Sequence, residues 1–176
     1  MSAESVRHTV SMSNPDQSHV YATDFQTQIL AFIDQHRAML LAALEGLTEE
    51  EARRRLVSSK TTLLGLLKHA IFVERVWFQE ARTGLSRSDL GIGQSPDESF
   101  DLGDADTIAS VAREYLETCQ ASREAVAGVS ASTVWSGNRR GPLTVQWIQL
   151  HALRELAQHC GHAEILREQI LAARES

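Results

Sequence analysis

The sequence predicts an all-α fold, a four-helix bundle with one long crossover connection. Three observations carry this. Apolar residues recur at spacings of three and four over four long stretches, which is the helical period and not the alternation of strands. The first three stretches stop at Gly46, Gly84 and Gly128, where a left-handed residue can close a helix. Residues 85–104, rich in Gly, Ser and Asp and containing Pro96, separate the second stretch from the third and are too long for a simple turn.

The first helix is expected over residues 24–46, capped by Thr23 or Asp24, with Phe25, Ile29, Phe32, Ile33, His36, Met39, Leu40, Ala43 and Leu44 on the repeat. Thr48 and Glu51 read as a capping box opening a short helix to about Leu56, after which Ser58, Ser59 and Lys60 break the pattern. The second long helix spans residues 62–82 on Leu63, Leu66, Leu67, Ala70, Val73 and Trp77. The third spans 106–127, with Ile108, Val111, Ala112, Tyr115, Leu116 and Cys119 on its inner side. A second connection covers 129–142, and the fourth helix runs from about Thr144 to about Arg174.

A length of 176 residues with 43% apolar content suits one domain, placed at residues 23–174 behind a flexible tail at 1–22 that is polar and aperiodic. With 23 acidic against 17 basic side chains the formal charge is −6, the wrong sign for a phosphate-binding surface, and this argues against nucleic acid. There is no apolar run of membrane-spanning length and no signal-like start, so the expected location is the cytoplasm. Cys119 and Cys160 form no CxxC pair and are expected to remain thiols.

The fourth helix carries His151, Glu155, His159 and His162 at spacings of four, four and three. At about 100° per residue these fall on one arc of roughly 80°. Ile148 and Leu166 lie on that arc and Ile170 at its edge, which marks it as the core side. Polar groups in a core need satisfying partners. A divalent cation supplies them; the alternative is hydrogen bonding of the histidines to backbone or water with Glu155 in an ion pair. His69, which shares a face with Leu66, Val73 and Trp77, also points inward. It completes a three-ligand set with Glu155 and His159 of the kind catalytic zinc sites use, or else is a hydrogen-bonded core histidine.

Two stretches together, Thr62-Leu-Leu-Gly-Leu-Leu-Lys-His69 running on to Trp77 and Phe78, and Trp147-Ile-Gln-Leu-His151 running through Glu155, His159 and His162, resemble the DinB/YfiT-like superfamily, with the actinobacterial mini-circle protein branch the most similar. The resemblance covers residues 23–172. It implies a DinB-like four-helix bundle binding zinc or nickel through a histidine of the second helix and two ligands one turn apart near the end of the chain. Carried onto this sequence, those ligands are His69, Glu155 and His159. Glu-xxx-His in place of His-xxx-His is similar to the mycothiol-dependent members, so the implied thiol is mycothiol. The chain departs from the maleylpyruvate isomerase of that group in lacking a second domain, and His162 stands where relatives often have Gln.

Two imidazoles and one carboxylate leave a cation with an exchangeable position where a thiol is activated or a water held. Both outcomes are open to these ligands. With mycothiol implied by the resemblance, the expected activity is a metal-dependent thiol S-transferase acting on a small electrophile, the protein a homodimer; a metal-dependent hydrolase and a non-catalytic metal-binding stress protein are the competing readings. His151 and His162 are candidates for orienting the ligands or moving protons, or are packing residues. Trp77, Phe78 and Trp147 are candidate pocket walls or core fillers, Cys160 points away from the ligand face, and Arg139 with Arg140 would meet an anionic ligand or solvent. Arg37 and Arg75 are expected to neutralise Glu74 or Asp24.

Overall fold

The structure, a computed structural model, describes residue 20 and residues 22–174; the tail expected over residues 1–22 falls almost wholly outside them. Helix α1 is Phe25–Ala42, and Asp24 caps it by accepting from the backbone N–H groups of Gln26 and Thr27. Its buried face is Ile29, Ile33, Arg37 and Leu40. Phe25, Phe32 and Met39, expected on the inner side, are exposed. The apolar stripe of α1 is about 140° wide at 100° per residue, and neighbouring helices cover only the half that includes Arg37.

The capping box of Thr48 and Glu51 opens α2, Glu49–Ala52, as expected. It stops at Arg53 and not near Leu56, because Leu56 and Val57 are exposed and give further turns nothing to bury. Helix α3, Leu63–Glu74, is capped by Thr62 and buries every residue except Lys68. It continues as a π-helical segment, Arg75–Glu80, then as α4, Ala81–Thr83, and ends on Gly84 at φ +70°. The π turn is absent from the sequence expectation.

The crossover contains one 3-10 turn, Glu98–Phe100, and lies close on α3: a Cβ at Gly65 would sit 3.2 Å from the Phe100 carbonyl oxygen. Helix α5, Ile108–Val126, is capped by Thr107 and buries Val111, Tyr115, Thr118, Cys119 and Ser122. Leu116 is exposed, correcting its assignment to the inner side; its row faces away from α3. A two-residue antiparallel pair, β1 Val134–Trp135 with β2 Leu143–Thr144, closes the second connection and was not foreseen. Helix α6, Val145–Ala172, is capped by Thr144.

The fold is all-α as expected. Helix α1 packs along α6, and α3 packs against both α5 and α6. One part of the core gathers Ile33, Leu66, Tyr115, Leu156 and Ile170. The other gathers Phe72, Val76, Phe78, Val126, Ile148 and Ala152. A polar contact crosses it: Arg37 Nε and Nη2 donate to the two oxygens of Glu74 at 2.8 and 2.6 Å, with Arg37 5% and Glu74 0% exposed. This bidentate geometry is the favourable one for a buried pair. Arg75 pairs instead with Glu114 at 2.7 Å, and Asp24 is occupied as a cap. No helix among the described residues is long and apolar enough to cross a membrane.

Candidate metal centre

His69 sits at the middle of α3, 4% exposed, stacked on Phe100 with ring centroids 4.2 Å apart. Its Nδ1 is 2.6 Å from Ser99 Oγ, and the single Ser99 hydroxyl proton goes to the Pro96 carbonyl at 2.5 Å. Ser99 therefore accepts from His69 Nδ1–H, which leaves Nε2 with the free lone pair. The residues that fix this tautomer come from the crossover.

Glu155 and His159 are one turn apart on α6, both partly buried. Together with His69 they present ligand atoms that all lie within 4.8 Å of one another. Glu155 Oε1 accepts from Arg154 Nη2 at 3.0 Å, with His151 Nε2 at 3.7 Å, whereas Oε2 faces His159 Nε2 at 3.8 Å. His159 Nδ1 is buried without a hydrogen-bond partner among the described residues. Two imidazoles and a carboxylate whose ligand atoms converge are the donor set that a divalent cation takes. The residues fit the ion.

Burial sets the charge of the imidazoles. It pushes His69 down to about 4, with the neighbouring His159 adding to the effect and Glu155 opposing it. Burial also lowers His159 and His151; Glu155 opposes in both, while His162 adds at His159 and Arg154 and Arg140 add at His151. All three therefore present neutral lone pairs at pH 7.

The remaining expected residues divide. His151 is buried, stacks on Trp147 with centroids 5.0 Å apart and meets the Trp77 ring at 4.1 Å. Its Nδ1 accepts from Arg154 Nη2 at 2.8 Å, so its proton is on Nε2, toward Glu155. His162 is exposed, its ring 5.7 Å from that of His159, which corrects its inward placement: by angle it falls inside the arc, but at its level along α6 the side chain lies beside Val57, Ser59 and Thr61 at a cavity open to solvent. Phe78 is buried under the Arg37 guanidinium and away from the triad. Cys160 turns from the triad to the His36 carbonyl at 3.3 Å.

A cavity of about 370 Å³ opens beside the triad, lined by His69 and Glu155 and also by Trp77, His151, Arg139 and Arg140. A larger one, about 690 Å³, lies between α1 and α5 and touches none of the three, so size does not locate the chemistry. Ser99 and Arg154 were missed by sequence reasoning. Arg154 carried a signal, since it adjoins Glu155 and stands three residues from His151; Ser99 carried none, because its partner is thirty residues away.

The family model described as mycothiol-S-transferase matches residues 28–172. The chain belongs to that family. This mycothiol S-transferase family lies within the DinB/YfiT-like superfamily, in agreement with the resemblance drawn from the two helical stretches. No curated protein matches this family member.

Proposed function

We propose that the chain is a metal-dependent S-transferase in which mycothiol supplies the thiol, a small electrophile accepts it, and His69, Glu155 and His159 hold one divalent cation. The observation that carries the reading is the convergence of those three side chains, two of which, His69 and Glu155, also line a cavity. Two nitrogens and one carboxylate oxygen suit zinc, and nickel takes the same donors. When bound, the cation supplies positive charge that lowers the pKa of a thiol beside it, so that the thiolate predominates near neutral pH.

The chain's own side chains do the rest. Ser99 holds the His69 ring with Nε2 free, and Arg154 with His151 engages Glu155 Oε1 so that Oε2 is left toward His159. Trp77 and Trp147 wall His151 on two sides and keep water from it. His162, exposed beside His159, carries the thiol proton to solvent. The sulfur then bonds to the acceptor carbon, and any leaving group departs with its electron pair.

An external thiol is needed because the chain has none to offer: burial pushes Cys119 up to about 12 and Cys160 up to about 11. The proposal includes a homodimer, supported by the exposed row of Phe25, Phe32 and Met39 on α1, a surface of the kind a second copy covers. The test is conjugation of a fluorogenic electrophile by the purified chain with mycothiol, bacillithiol or cysteine. Turnover is expected with mycothiol above the other two and lost in Glu155→Ala. No turnover with any thiol contradicts the reading, and turnover without thiol replaces it with hydrolysis.

A further inference from the structure

We propose that Arg139 and Arg140 make the mouth of the triad's cavity an oxyanion subsite, so that the electrophile accepted there carries a carboxylate or a like anionic group. The inference rests on the S-transferase reading for the identity of the site.

Charge balance around the cavity is the first ground. Four guanidinium groups line it, those of Arg87, Arg139, Arg140 and Arg154, against one lining carboxylate, Glu155. Arg87 is committed to Glu80 at 2.9 Å and Arg154 to Glu155 at 3.0 Å. Arg139 meets only the neutral Gln94 Oε1, at 3.1 Å, and Arg140 lies over the Trp77 ring at 5.6 Å. Neither has a carboxylate partner among the described residues. In a chain of net charge −6, two uncommitted cations at one opening are a local reversal of sign.

The second ground is that the loop carrying them is anchored. Gly137 packs so tightly on the end of the α3–α4 rod that a Cβ would collide with the Glu80 carbonyl and the Gly84 backbone, and its N–H donates to the Ala81 carbonyl at 3.0 Å. Asn138 is 6% exposed; its Nδ2 donates to the Val76 carbonyl at 3.5 Å and its Oδ1 accepts from the Arg140 N–H at 3.0 Å. Val76 belongs to the π-helical segment, so the irregular turn that contains the cavity-lining Trp77 also supplies the acceptor that seats the arginine loop. Arginine heads held this way are preorganised for a planar oxyanion.

The third ground is what the other substrate lacks. The sugar and inositol parts of mycothiol present hydroxyls and no charge, so the two cations address the electrophile. A cavity of about 370 Å³ suits a small molecule.

Iodoacetate and iodoacetamide share the reacting carbon and the leaving group and differ in charge. With either, an S–C bond forms, iodide leaves with the electron pair of the C–I bond, and the thiol proton passes to solvent. The experiment measures kcat/KM for both with mycothiol and the metal-loaded full chain. In Arg139→Ala/Arg140→Ala the iodoacetate-to-iodoacetamide ratio is expected to fall about tenfold, with part of the loss restored by lysine at both positions. Because a ratio is read, partial misfolding of the variant does not imitate the effect; an unchanged ratio overturns the proposal. A titration of tryptophan fluorescence with malonate, and separately with inorganic phosphate, reads the subsite without turnover. Saturable quenching in the wild type that the double variant loses supports it, and the tighter of the two names the oxyanion. No quenching by either overturns it, whereas quenching without thiol transfer leaves the subsite standing and removes the S-transferase reading.

Discussion

His69 Nδ1 donates to Ser99 Oγ at 2.6 Å, and through this bond the crossover decides which nitrogen of the helix-borne imidazole faces Glu155 and His159. Ser99→Ala removes the acceptor and frees the ring to turn. Zinc affinity is expected to fall on the order of 10- to 100-fold, with helical content unchanged, as read by competition with a chromophoric chelator. Equal affinities in both proteins would show that the crossover has no part in holding the ligand.

The Arg37–Glu74 pair spans α1 and α3 with both groups out of water. Glu74→Ala strands the guanidinium, for which the exposed Asp34 at 2.9 Å is a partial substitute. A loss of about 3 kcal/mol in urea unfolding is expected, and less for Arg37→Met/Glu74→Leu, which removes both charges. A double variant worse than the single would mean that the pair stabilises beyond mutual compensation.

Glu51 is held down to about 2, against an ordinary 4.5, mainly by its hydrogen bond from Arg174, with the Thr48 backbone N–H adding to it. The folded value is depressed, so this contribution is present above pH 4.5 and fades as pH falls toward 2. Arg174→Ala should lower Tm by a constant amount above about pH 5, with the difference shrinking at lower pH. A difference that widens on acidification would reverse the sign assigned here.

Cys119 and Cys160 are buried thiols with raised pKa values. A disulfide reagent at pH 8 should label neither within the time needed to label both in denaturant. Rapid labelling of the folded chain would give the protein a nucleophile of its own and weaken the case for an external thiol.

Much of this architecture was legible because helices write themselves as a three-and-four repeat with caps: the Thr48–Glu51 box was read as it is found, and Asp24 was one of the two caps considered for α1, the other being Thr23. Rotation about a helix axis was not. The stripe of α1 holds two candidate rows, and only a partner decides between Phe25, Phe32 and Met39 on one and Ile29, Ile33 and Leu40 on the other; the choice turned on Arg37, a charged residue that a hydrophobic pattern discounts. The π turn at Arg75–Glu80 left no composition signal, since it changes hydrogen-bond register and not residue type. In the site, the approach of His69 to Glu155 and His159 was foreseen from inward faces and from the resemblance. Ser99 was not, because a contact between a loop and a helix thirty residues earlier has no periodicity to betray it.

The central claim is that α3 and α6 share one ion, and metal content by mass spectrometry of the purified full chain tests it most directly. The wild type is predicted to carry about one equivalent of a divalent transition metal per chain, and Glu155→Ala and His159→Ala to carry far less while keeping their helical spectrum. Unchanged stoichiometry in both variants would contradict the account.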